Sequence, residues 1–240
     1  MKLVNKIFYA AGAVFILGNT SLIAEEMSPK EIISKAQEYL GSLDKYTFDA
    51  VIYDTYTDDG EEVFKSTHTV SAKIVRPDKL RVDVKGDTRD RSNYMSDGMY
   101  TMVDHSFGYY GQVTVPKNID DALDFLLNKF GINAPLTSLL YKDMPKRTHF
   151  SKSKNFGVVD VHGVPCHYIA FRNHKKEVHI WVAAGDKPLV RNYSVIDHSD
   201  IPHLRIDSSI AWRDASGIKP SDFVFTPSKG LTKISVESAN

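Results

Sequence analysis

A chain of 240 residues with 42% hydrophobic and 25% charged side chains has the ordinary balance of a soluble globular protein, and can bury one substantial core. Thirty basic residues offset thirty acidic ones, so bulk charge points to neither nucleic acid nor an anionic membrane surface as a partner.

The chain opens with an address. Lys2 and Lys6 precede the apolar run IFYAAGAVFILG, residues 7–18, and a polar stretch leads to LIA-EE. This is the order of a secretory signal peptide, residues 1–24, with cleavage expected after Ala24. The apolar run is short for a membrane span, which needs about 20 residues; an uncleaved anchor stays open, because Leu22-Ile23-Ala24 fits the small-x-small rule poorly. Cys166 is the only cysteine, so no internal disulfide can form, and an exported protein of this kind fits a bacterial periplasm. Within VPCHYIAF it reads as a small buried residue rather than a reactive thiol.

Residues 25–240 read as a single domain. Ser28, Pro29 and Glu31 form a capping box ahead of the helical face Ile32, Ile33, Ala36 and Leu40, and Gly41 is expected to stop that helix. From Tyr46 the period becomes two: Tyr46, Phe48, Ala50 and Ile52 alternate with Thr47, Asp49, Val51 and Tyr53. Asp59-Gly60 and Asp97-Gly98 are hairpin signals. The return strand, from about Glu62 to Val75, is interrupted by Pro77 and Asp78 and expected to resume over Leu80 to Val84. NIDDALDFLLNKFG, residues 118–131, has an Asn cap, an acidic first turn and a closing glycine; a second short helix is expected from Pro135 to Tyr141. Together they make a helical insertion, residues 118–141, between two runs of strands. After Lys154 short strands return at roughly ten-residue spacing, as in an antiparallel meander. Several carry apolar residues on both faces, so both sides of the sheet need cover.

Three stretches then line up in order: VRPDKLRVDV (75–84), SDGMYTMVDHSF (96–107) and SDFVFTPSKGL (221–231). In their order and spacing they resemble the LolA/LolB-like lipoprotein-carrier superfamily, across nearly the whole mature chain. GVPCHYIAF, HIWV and GDKPLV look most like a branch of predicted periplasmic proteins with that fold. The resemblance implies a mainly β (α+β) fold: a strongly curved, antiparallel, incomplete β-barrel with helices on its concave side acting as a lid. It implies a hydrophobic cavity for acyl chains. It also implies a latch: the arginine before the proline, Arg76 here, holds backbone carbonyls of the lid when the cavity is empty. A guanidinium suits that task because its planar fork reaches several carbonyls at once. Two departures stand out. The insertion is longer and more apolar than a simple lid loop, and nothing matches the protruding loop of the membrane-bound receptor.

The expected ligand-lining residues are Leu80, Val82, Tyr100, Met102, Tyr168, Ile180 and Trp212 from strands, with Leu123, Leu126, Leu127 and Phe130 from the lid. Core packing uses the same residue types, and unfilled volume alone separates the two. No catalytic residue, metal site or cofactor is expected. His162 with His167, and His174 with His179, lack the spacing of a zinc motif. There is no G-x-S-x-G elbow or glycine-rich phosphate loop, and Asp58, Asp59, Glu61 and Glu62 read as a solvated turn. Two functions follow: an exported, non-enzymatic binder of a lipid, acyl chain or other hydrophobic ligand, or an envelope interaction or sensor module with a filled interior and a protein partner.

Overall fold

The computed structural model describes residues 27–132, 136–144 and 152–239; the expected signal peptide, residues 1–24, lies outside them. Helix α1 (Pro29–Ser42) begins at the capping box: Ser28 N–H donates to Glu31 Oε2 at 2.8 Å, and Glu31 N–H to Ser28 Oγ at 3.3 Å. It does not stop at Gly41. Gly41 lies buried inside the last turn, where an added Cβ would come within 2.9 Å of the Lys142 carbonyl oxygen. The glycine therefore allows backbone approach instead of serving as a cap.

Six strands follow: β1 (Lys45–Asp58), β2 (Glu61–Val75), β3 (Lys79–Gly86), β4 (Asp90–Ser96), β5 (Met99–Asp104) and β6 (Tyr109–Thr114). Helix α2 (Ile119–Phe130) comes next, then β7 (Lys152–Val161), β8 (Val164–Arg172), β9 (Lys176–Ala183), β10 (Val190–Asp197), β11 (His203–Arg213) and the short β12 (Thr232–Ile234). All twelve form one sheet in the order β12-β6-β5-β4-β3-β2-β1-β11-β10-β9-β8-β7. Its two ends do not meet, so the barrel is incomplete. Every pairing is antiparallel except β12 with β6, which is parallel.

The Pro77 fault is a chain reversal, not a strand that resumes. Strands β2 and β3 pair antiparallel, Ile74 opposite Leu80, and the Arg76–Pro77 peptide is cis. Both Asp-Gly signals are turns with two left-handed residues, Asp59 with Gly60 and Asp97 with Gly98. Asn118 caps α2 and Gly131 closes it in the left-handed conformation. Of the expected second helix, the described residues hold a single 3-10 turn, Thr137–Leu139. Pro135 lies outside the described residues.

Register fixes which side chains share a face. Phe48 lies opposite Ala72 on β2 and Trp212 on β11, and Ala50 opposite Val70 and Ile210. The same inner face continues through Val82 and Leu80 on one side and Tyr193, Ile180 and Ile169 on the other. Ile32, Ala36 and Leu40 of α1, and Ile119, Ala122 and Leu126 of α2, join these residues in one buried cluster. The outer face is partly covered too. Phe225 packs on Tyr94 and Tyr110, at centroid distances of 5.7 and 5.0 Å.

One close approach gives a stability prediction. Gly86 lies opposite His68, and a Cβ there would sit 2.3 Å from the Thr67 carbonyl oxygen and 2.6 Å from the His68 Cα. Backbone cannot yield as a side-chain tip can, so Gly86→Ala is expected to destabilise by about 1–3 kcal/mol in urea unfolding. Gly217→Ala, where nothing lies within 4 Å, is the control; equal losses for the two would contradict the packing described.

Candidate ligand-binding site

The site begins with Arg76 at the β2–β3 reversal. Its side chain is only 8% exposed and its backbone N–H donates to the Asp44 carbonyl at 2.8 Å. Nη2 donates to the Leu140 carbonyl at 2.9 Å and to the Tyr46 hydroxyl at 3.2 Å. Nη1 lies 3.5 Å from Asp120 Oδ1. Tyr46 passes the connection on, its hydroxyl donating to the Leu139 carbonyl at 2.7 Å. Asp120, in the acidic first turn of α2, accepts the backbone N–H of Lys142 at 2.9 Å and of Asp143 at 3.2 Å. The Tyr141 hydroxyl donates to Asp124 Oδ1 at 2.9 Å.

Residues 139–143 are thus stitched on one side to the sheet, through Arg76 and Tyr46, and on the other to α2. Burial pushes the Asp120 carboxyl above its usual range, while the two backbone amides and Arg76 pull it back. Burial raises the Tyr46 phenol well above its ordinary value, so it stays a neutral donor.

Behind this strap is a cavity of about 320 Å³, at the small end of the usual ligand-pocket range of roughly 300–1,000 Å³. Ile33, Ala36, Gln37 and Leu40 of α1 form one wall, and Phe171, Val178, Ile180, Val190 and Tyr193 of β8–β10 the other. Ser138, Leu139 and Met144 close it, and Asn173 completes the rim. The α1 face and the Val178-Ile180 alternation were both visible in the sequence; what was missing was their meeting.

Of the expected lining residues, Ile180 alone borders this cavity. Leu80, Val82, Tyr100, Leu123 and Leu126 are buried, and Met102, Phe130 and Trp212 are packed against the same core. Tyr100 donates to Asn93 Oδ1 at 2.8 Å, and Trp212 Nε1 to the Val190 carbonyl at 2.8 Å. Two residues are misplaced outright. Leu127 is 44% exposed, on the solvent side of α2. Tyr168 points to the outer face, stacked between Phe156 at 4.4 Å and Trp181 at 4.5 Å, because it is one residue out of phase with Ile169 and Phe171. The expected lining residues of β3 and β5 thus lie in the packed core, while the open volume described above lies against β8–β10.

A larger cleft of about 530 Å³ lies on the outer face of β1–β3 and β11. Asp49, Asp83, Lys85, Arg191 and Arg213 line it together with Val51, Val70, Val161 and Ile210, and Arg213 is paired to Asp49 at 2.9 Å, so its lining mixes charged with apolar side chains. Cys166 is buried, and burial raises its thiol pKa. Among the described residues no group of three or more His, Cys, Asp or Glu side chains could hold a metal, and no helix is long and apolar enough to cross a membrane.

Solved structures match the chain at very low identity. The lipoprotein LppX of Mycobacterium tuberculosis is 9% identical with a TM-score of 0.43, over 79% of this chain and 96% of its own. LprF of Mycobacterium bovis is 9% identical with a TM-score of 0.40, over 80% and 97%. A LolA superfamily protein of Nitrosomonas europaea is 11% identical with a TM-score of 0.37, over 83% and 99%. No curated protein matches the chain. The model of one family covers nearly all of the described fold, residues 29–237: the chain belongs to the DUF2092 family of predicted periplasmic proteins.

Proposed function

We propose that residues 25–240 act, after loss of residues 1–24, as a single-domain, non-enzymatic periplasmic binding protein that holds a lipid or acyl chain between α1 and β8–β10. The observation that carries this is the hollow of about 320 Å³ with a mainly apolar lining. The strap at residues 139–143 supports it, since Arg76 bonds a strap carbonyl and can release it.

Energetics favour a passive mechanism. Opening the strap costs a few hydrogen bonds of about 1 kcal/mol net each. Burying hydrocarbon gains about 0.8 kcal/mol per methylene, so a chain of roughly six methylenes offsets the opening. No cofactor or metal enters this scheme.

The burial of most of the inner face in one core cluster favours a second reading, an envelope interaction or sensor module with a protein partner and no ligand. Native mass spectrometry of the mature chain, purified from the envelope without detergent, separates the two. A species carrying one lipid mass supports the binder; a clean protein mass supports the module.

A further inference from the structure

The chemistry of the cavity wall restricts the head group of whatever enters. Apart from Gln37, Ser138, Asn173 and Tyr193, every described residue that lines it is apolar, and none is charged. Several charged side chains on the surrounding elements have partners of their own. Arg172 pairs with Glu177 at 3.2 Å, Lys176 with Asp197 at 2.9 Å, and Lys35 Nζ lies 3.1 Å from Met27 Sδ. Arg76 is held by Tyr46, Leu140 and Asp120.

The polar groups are neutral donors and acceptors. Tyr193 bonds Ser138, and burial pushes its phenol up to about 12, so it does not ionise near neutral pH. Asn173 Oδ1 accepts the N–H groups of Lys175 and Lys176 at 2.9 and 2.8 Å, which fixes the amide. Its Nδ2, like the Gln37 side chain, makes no hydrogen bond to the described residues. Both amides are half-buried, Gln37 on the α1 wall and Asn173 at the rim.

An ionised carboxylate seated here gives up hydration and gains no cation from the described lining residues in return. A hydroxyl, ester or amide exchanges its water for these amide groups at little cost. We propose that the cavity selects an amphiphile with an uncharged, hydrogen-bonding head group, such as a fatty alcohol or acyl ester, over a fatty-acid anion. This rests on the reading of the cavity as a lipid site.

The test uses the mature chain loaded with Nile red, displaced by dodecanol, methyl laurate or laurate. A carboxyl group of ordinary pKa is protonated about once in a thousand at about pH 7.5, and a head group at a half-buried rim keeps part of its water, so laurate is expected to bind at least about tenfold more weakly than methyl laurate. The gap should narrow as pH falls towards about 5.5, by up to about tenfold per unit, while dodecanol and methyl laurate stay constant. Gln37→Lys should bring laurate to within about threefold of the ester by supplying a cation at the cavity wall. Laurate binding as tightly as the ester at about pH 7.5, or a preference untouched by Gln37→Lys, overturns the head-group assignment and leaves the lipid site standing. Failure of all three to displace the dye, or of the dye to bind, overturns both.

Discussion

Arg76→Leu is expected to lower stability by about 3 kcal/mol in urea unfolding, and to speed release of a bound chain by about tenfold or more. The guanidinium is almost fully enclosed, and it serves the Leu140 carbonyl, the Tyr46 hydroxyl and the Asp120 carboxylate together. Leucine leaves the carbonyl without this donor and Asp120 without its counter-charge, and that unmatched burial dominates the loss. Arg76→Lys keeps a charge near Asp120 but cannot span both oxygen partners, so it should fall between leucine and the parent. Stopped-flow displacement reads the release rate. Parental release from Arg76→Leu, whatever its stability, would show that the strap does not gate the cavity.

Ala36→Phe has the second large expected effect. Ala36 is 3% exposed, lines the cavity, and sits between Ile33 and Leu40 on the inward face of α1. In a packed core a phenyl group in place of a methyl costs about 1–3 kcal/mol through displaced neighbours. Here it can enter the void, so stability should change by less than about 1 kcal/mol, while affinity for dodecanol drops at least about tenfold. A large stability loss with affinity preserved would mean the phenyl meets packed side chains and the ligand lies elsewhere. Comparison with Arg76→Leu is informative: one variant removes the space, the other the closure.

The same residues show how far sequence reasoning reaches. Capping boxes, Asp-Gly turns and period-two alternation act over a few neighbours, so α1, α2 and most strands could be read directly from Ser28, Asn118, Gly131 and the Tyr46–Ile52 run. Arg76 could be singled out because Arg76-Pro77 lies in an ordered set of three motifs. Its partners were not, because Leu140, Tyr46 and Asp120 come from separate segments that meet only in the fold.

Most of the expected lining residues lie away from this cavity for a similar reason. Leu80 and Val82 share the inner face with Ile180, but they lie in the packed core and do not border the cavity. Periodicity assigns a face; it cannot say whether space is left opposite. Gly41 failed as a stop signal because glycine also serves close packing, here against Lys142. Tyr168 is the plainest error, since a one-residue change of phase puts a strand residue on the far side of the sheet.

The occupant of the hollow is what the whole account turns on, and nuclear Overhauser contacts read it directly. With dodecanol bound to isotope-labelled mature chain, the alkyl protons should contact the methyl groups of Ala36, Val178 and Ile180, and none of those of Leu80 or Val82. Saturating dodecanol that leaves the Ala36, Val178 and Ile180 methyls without contacts would contradict the account.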